Sequence, residues 1–309
     1  GVAVYPESGM DYESLTRHAD AAMYVAKRSH TGVELYDPSR SPDEEIDLAL
    51  RAELRRAIEQ QELVLYFQPK ISHTTGKVSG VEALVRWQHP IRGMIPPDRF
   101  IPLAEQTDLI RPLTSWVLAK AIEQCADLQA KGFELTMAVN LSTINLKDPS
   151  LPEKIAAALA KHHLDAKWLE LEITESAVMD DTMRSVQVLA QLDHLGTRIS
   201  IDDYGTGYSS LSYFRKLPVD DLKIDKSFVI GMATNHEDAT IVRSTIELGH
   251  QLGLQVVAEG VEDRETWEKL THLGCDAAQG YYMSRPLSST DLMKWLHESP
   301  WGIAARKPA

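Results

Sequence analysis

From Leu63 onward the chain alternates between short runs of β-branched and other apolar residues and longer stretches whose apolar positions recur three and four residues apart. Eight of the short runs read as strands: Leu63 to Gln68, Val78 to Trp87, Thr136 to Leu141, Leu169 to Thr174, Arg198 to Asp202, Asp221 to Ile224, Gln255 to Glu259 and Ala277 to Tyr281. Helical patterns separate most of them, over Ser115 to Lys131, Pro152 to His162, Met179 to Leu195, Ala239 to Leu252 and Arg264 to Leu273. Gly132, Gly196, Gly253 and Gly274 follow four of these helices directly, where a left-handed residue ends a helix. Eight strands, mostly separated by helices, predict an α/β fold of the TIM-like (β/α)8 barrel type.

Before Leu63 the pattern changes. A short strand at Val2 to Tyr5, a turn at Pro6 to Gly9 and a helix over Tyr12 to Lys27 make a piece too small to fold alone. The sequence begins with Gly rather than Met, and the opening GVAVYPESG reads as the middle of a longer protein. Asp37, Pro38, Ser39, Arg40, Ser41 and Pro42 have the composition of a linker. A helix follows, with Ser41 as cap, Pro42 in its first turn and Glu44 completing a capping box. Its stripe of Ile46, Leu50, Leu54 and Ile58 is expected to pack on the barrel. The tail after Trp301 is expected to fray.

Charge narrows the function. Among 309 residues, Asp and Glu number 45 against 32 Lys and Arg, an acidity that excludes a basic grip on long nucleic acid. Clustered carboxylates are what a hard divalent cation needs, although solubility alone also explains an acidic surface. The two cysteines, Cys125 and Cys275, stand far apart without a metal-ligand neighbour, which argues against a disulfide framework or a zinc site. No apolar run reaches the length of a membrane span and no secretion signal opens the chain, so a cytoplasmic domain is expected, with membrane anchoring of the parent protein open.

Barrels of this type carry reactive groups at the C-terminal strand ends. Reading each candidate strand toward its end gives Gln68, Glu82 with Arg86, Asn140, Glu172 with Glu175, Asp202 with Asp203, Lys223 with Asp225, Glu259 with Glu262, and Gln279. One Asp at such a place is usually a cap or turn former. A polar group on every strand is a different pattern, and carboxylates with an Asn amide are the oxygen donors that magnesium and manganese prefer. Alternation would send Asp202 and Asp203 to opposite faces, but the strand end can turn, helped by Gly205 and Gly207. Lys223, among apolar residues in DLKID, reads either as a contact to the attacking water or phosphoryl oxygens or as a structural ion pair with Asp225 or a neighbour. Arg86 shares a strand face with Glu82 and Leu84 and suits a phosphate or a surface salt bridge, while Gln68 and Gln279 could simply satisfy backbone groups.

The segment EALVRW, containing Glu82, Ala83 and Leu84, resembles the signature of EAL-domain cyclic di-GMP phosphodiesterases. The resemblance extends in order through YFQPK, FIPLAE, AVNLS, LEITES, DDYGTGYSSL, LKIDKSF, VVAEGVE and QGYYMSRP, with Tyr204 standing where the family commonly has Phe. It implies a barrel whose first strand is antiparallel, and hydrolysis of cyclic di-GMP to linear 5′-pGpG by two Mg²⁺ or Mn²⁺ ions, with Ca²⁺ inhibitory. It also implies that Glu82, Asn140, Glu172 and Asp202 hold one ion and Asp202, Asp203 and Glu259 the other. Lys223 would contact the attacking water, Glu175 would brace the loop after Asp203, Glu262 would support the site, and Gln68, Leu84, Arg86 and Gln279 would line the substrate pocket. A homodimer is a further expectation of the family.

YPESG and RHADAAMYVAK resemble the C-terminal end of a GGDEF domain, so upstream GGDEF and sensory domains are expected in the parent chain. The resulting division is residues 1–37 as that remnant, 38–47 as linker, 48–298 as the EAL domain and 299–309 as tail. Some EAL-like domains are non-catalytic cyclic di-GMP receptors, which typically lack metal ligands; here none of the matched ligands is replaced.

Overall fold

The computed structural model describes residues 1–28, 31–37, 41–175, 177, 182–206 and 217–305. Pro38, Met179, Gly207 and residues 306–309 fall outside them, as do the side chains of Ser41, Glu44 and Ile46.

The sheet is closed. Its strands are β1 (Leu63–Ser72), β2 (Val78–His89), β3 (Gly93–Ile95), β4 (Thr136–Leu141), β5 (Leu169–Thr174), β6 (Arg198–Tyr204), β7 (Asp221–Ile224), β8 (Gln255–Ala258) and β9 (Ala277–Ala278). They lie in the order β1-β9-β8-β7-β6-β5-β4-β2-β3, and β1 pairs with β2 to complete an eight-stranded barrel. β1 runs antiparallel to both neighbours, while β2 and β4 through β9 run parallel to one another. The expected antiparallel first strand is therefore present.

Four details differ from the sequence reading. β3 is an unanticipated strand of three residues, too short to show alternation, that folds back on the end of β2. The helix expected from Ser115 begins at Ile110, because Pro112 falls in its first turn, where a missing N–H costs no helical bond. Residues assigned to the linker are helical from Ser41, in a helix that continues to Glu59. The strand expected at Val2 to Tyr5 is a single bridge from Val2 to Leu35, and the helix after it spans Tyr12–Arg28.

Alternation sorts the strands into two faces. Phe67, Ile71, Met137, Val139, Leu169, Leu171, Ile199, Ile201, Leu222 and Ile224 are buried in the apolar core. Leu50 and Leu54 join that core, at 2% and 0% exposure, so the entering helix is packed on the barrel as its stripe predicted. Each such leucine contributes about 1.5–3 kcal/mol by burial. The intervening residues face the barrel's interior, and they are mostly charged. Lys70 meets Glu170 at 2.6 Å in the lower interior, and Arg198 holds Asp221 through Nε and Nη2 at 3.2 and 2.7 Å. The groups expected to carry chemistry lie above these pairs, toward the C-terminal strand ends.

Candidate metal centre at the barrel mouth

Glu82 anchors one half of the site. Its Oε1 accepts from Asn140 Nδ2 at 2.7 Å and its Oε2 from Gln279 Nε2 at 2.6 Å. The Gln279 amide also donates to Gln68 Oε1 at 3.1 Å, and Gln68 Nε2 donates to the Ser284 carbonyl at 3.1 Å. This chain of amides crosses β9, β1, β2 and β4. Gln68 and Glu82 sit at mid-strand because β1 is antiparallel and β2 continues past the mouth into its hairpin, with Gln68 directly opposite Glu82 in register.

Lys223 anchors the other half. Its Nζ lies 2.9 Å from Glu172, 3.2 Å from Asp202 and 2.6 Å from Glu259, linking β5, β6, β7 and β8. Asp225 does not pair with it. That carboxylate instead caps the helix Lys226–Gly231, accepting from the Ser227 N–H at 3.0 Å.

Asp202 and Asp203 reach the same side through a β-bulge. Ile201 pairs with Leu222 and Tyr204 with Ile224, so β6 spends one residue more than β7 over this stretch. Asp203 takes up the excess in the left-handed region at φ 55°, and its N–H bonds to Asp202 Oδ1 at 3.0 Å. The turn is made at Asp203 itself rather than only at the glycines that follow. Glu175 accepts from the Gly205 N–H at 3.0 Å, tying down the loop just after the bulge.

Not every expected residue joins the cluster. Glu262 is exposed and makes no hydrogen bond or ion pair among the described residues. Leu84 is half-buried opposite Tyr66, and Arg86 donates to the Val85 carbonyl with its guanidinium 6.0 Å from the Tyr66 ring centre.

The donor set fits hard divalent cations. Oxygen atoms of Asp202, Asp203 and Glu259 all lie within 4.8 Å of one another. Glu172 Oε2 is buried, with the Lys223 ammonium at 2.9 Å as its counter-charge, and stands beside the same cluster. Glu82, Glu172, Asp202, Asp203 and Glu259 together outnumber the single ammonium of Lys223, leaving an excess of negative charge suited to two divalent ions.

The protonation equilibria carry the same signature. Burial raises Glu172 well above the ordinary carboxylate range, with Glu82 and Asp202 adding to the effect against the pull of Lys223. Burial, then Asp202 and Glu82, push Glu259 up to about 8; burial, then Asp202 and Asp225, push Asp203 up to about 6. Glu82 moves the other way: burial opposes its ionisation, but Lys223 and the amides of Gln279 and Asn140 outweigh it. Burial opposes the charge on Lys223 too, yet Asp202, Glu172 and Glu259 raise its pKa well above the ordinary value.

A pH dependence follows. Carboxylates with raised pKa hold protons in the folded state that the unfolded chain has released, so the stability they contribute is full below their unfolded pKa and falls as pH rises through Glu259's value near 8. Cations that displace those protons should offset the loss. Melting temperatures taken with chelator and with magnesium are expected to differ more at about pH 8.5 than at about pH 5.5; an equal gap at both would remove these groups from the cation site.

Comparison with known proteins agrees with the fold. The chain belongs to the EAL domain family, whose profile matches residues 51–286. It is 42% identical over 295 residues to the bifunctional diguanylate cyclase/cyclic di-GMP phosphodiesterase MucR of Pseudomonas aeruginosa, covering 95% of this chain and 43% of that protein. It is 36% identical over 296 residues to the cyclic di-GMP phosphodiesterase PdeR of Escherichia coli, covering 96% and 45%. The chain thus spans less than half the length of these curated relatives. Among solved structures, the PaMucR phosphodiesterase in complex with c-di-GMP superposes with a TM-score of 0.76 at 44% identity, covering 79% of this chain and 99% of that one. The FimX EAL domain from Pseudomonas aeruginosa bound to c-di-GMP gives 0.71 at 26% identity, covering 77% and 96%.

Proposed function

We propose that this chain hydrolyses cyclic di-GMP to linear 5′-pGpG, using two Mg²⁺ or Mn²⁺ ions held by Glu82, Asn140, Glu172, Asp202, Asp203 and Glu259. The observation that carries this reading is the convergence of six hard-oxygen side chains from five strands and their ends around one ammonium. The names of MucR and PdeR and the ligand of the PaMucR complex support the substrate.

Bound divalent ions would neutralise charge on the phosphodiester and lower the pKa of a coordinated water. The chain's own residues do the rest. Lys223 stays protonated throughout the working pH range, so it donates hydrogen bonds to the attacking water or a phosphoryl oxygen and does not act as a base. Water oxygen bonds to phosphorus, the P–O3′ bond breaks, one of the water's protons ends on the departing 3′ oxygen and the other dissociates from the new 5′-phosphate to solvent, opening the ring. Gln68, Gln279, Leu84 and Arg86 form the pocket wall, and Glu175 holds the loop behind Asp203 in place.

Residues 1–37 are read as the end of a GGDEF domain and 48–298 as the EAL domain, working as a homodimer in a cytoplasmic part of a longer signalling protein. No helix among the described residues is long and apolar enough to cross a membrane.

Incubating the protein with cyclic di-GMP and magnesium, with and without chelator, tests the reading: linear pGpG should form only without chelator. Tight binding with no product under either condition would favour a receptor. Calcium as the only cation is expected to lower turnover at least about ten-fold, because its longer and irregular bonds misplace the water. Undiminished turnover in calcium would count against the mechanism.

A further inference from the structure

One ion pair spans the barrel beneath the metal centre and has no part in the site as described. Lys70 of β1 and Glu170 of β5 are both buried, with Nζ 2.6 Å from Oε2. In the strand order β1 and β5 are not neighbours by either route: β2 and β4 stand between them on one side, and β9, β8, β7 and β6 on the other. The pair therefore crosses the lumen. The two strands on the shorter route clear its path. Gly80 of β2 stands opposite Lys70 in register and Ala138 of β4 beside Glu170, and by parity with Glu82 and Asn140 both positions face inward. Neither carries more than a methyl group.

Each partner lies two residues from a residue of the site, on the same face of its strand. Gln68, which the Gln279 amide links to Glu82, precedes Lys70 on β1. Glu172, with Lys223 at 2.9 Å, follows Glu170 on β5. Because β1 runs antiparallel to its neighbours, both steps lead toward the mouth. The ion pair thus ties one half of the site to the other from one layer below. Backbone pairing is sparse on the longer route: β9 is two residues long, and its ladder with β1 consists of Ile71 with Ala278 and Ser72 with Ala277. Side chains carry much of the hold that β1 has on the far wall.

We infer that Lys70 is a positioning residue for the cation site. Through Glu170 it fixes the width between the half built on Gln68 and Glu82 and the half built on Glu172 and Lys223, and with it the spacing at which two divalent ions are held. The inference rests on the two-cation reading above. Ions in such sites stand about 3.5–4 Å apart, so a small drift of one wall weakens the bonds to both. Magnesium tolerates that drift least, because it demands near-ideal octahedral geometry at short bonds.

Magnesium binding, read apart from turnover, tests this. The double variant Lys70→Met/Glu170→Leu removes both charges and fills their space with apolar groups, an exchange that often leaves stability unchanged or raised. Two quantities are measured: the magnesium concentration that gives half of the melting-temperature shift without substrate, and the one that gives half-maximal hydrolysis of cyclic di-GMP. Both are expected to rise about ten-fold, the lower end of the range for residues that orient metal ligands. Leu54→Ala, a core truncation on the entering helix, should lower the melting temperature and leave both magnesium concentrations at wild type. Glu170→Gln keeps the shape and an acceptor for the ammonium; it should raise both concentrations by a smaller factor, and it decides the matter if the double variant does not fold. Wild-type magnesium concentrations in the folded double variant or in Glu170→Gln, or an equal rise in Leu54→Ala, would overturn the inference and leave the phosphodiesterase assignment standing. If the wild-type protein neither binds magnesium nor cuts cyclic di-GMP, the two-cation reading falls and the positioning role with it.

Discussion

Asp202→Asn should lower cyclic di-GMP hydrolysis by about 10³-fold or more, beyond the loss of a single electrostatic contact, because this carboxylate would serve both cations. It faces Lys223 at 3.2 Å and shares its neighbourhood with Asp203 and Glu259. Asn keeps the size and one oxygen, so the barrel should fold as before. It removes the charge that two ions would otherwise share. The variant also loses an anion beside Glu172 and Glu259, which eases their ionisation. Substrate binding without turnover is the expected phenotype, read by product formation and by the magnesium concentration for half-maximal rate. Near-native turnover would show that the ligand assignment is wrong.

Lys223→Met should be costly in two ways at once. The ammonium is fully buried among Glu172, Asp202 and Glu259, and removing it leaves their charges uncompensated. Breaking a buried ion pair from one side typically destabilises by about 3–5 kcal/mol, although protonation of Glu172 and Glu259 would relieve part of that. Turnover should fall by about 10²–10³-fold, the range for a donor aimed at developing charge. Divalent cation should restore much of the lost melting temperature, since it replaces positive charge, but not the rate. Recovery of rate by cation alone would mean that the lysine only balances charge and does not touch the reacting groups.

Much of the site was legible because its residues occupy strand positions whose parity is fixed. Glu170 and Glu172, Ser200 and Asp202, and Asp221 and Lys223 all alternate with core residues, and simple counting places them inside. Counting fails where the chain departs from regular geometry. The direction of β1 left no mark in its own composition; only likeness to a known family supplied it. The contact of Lys223 with three carboxylates, rather than with its sequence neighbour Asp225, depends on which strands become adjacent when the sheet closes. The helix Ile110–Ala130 starts ahead of the predicted Ser115, since Pro112 is accommodated in its first turn, where no helical N–H is needed. Glu262 shows the converse: its position after β8 looks like that of Glu259, yet its side chain is in solvent.

The bulge in β6 gives the chain's length a chemical meaning at that point. Removing one residue between Ile201 and Tyr204, that is, Asp202 or Asp203, would restore regular pairing with Leu222 and Ile224, and the one carboxylate left would take the single inward-facing position beside Lys223. A regular strand has no second inward position next to it, so the lost carboxylate could not be replaced there. The place proposed for the second cation is thus written in a count of residues as much as in their identity, and a single-codon deletion there would erase one proposed ligand while leaving a carboxylate in the sequence.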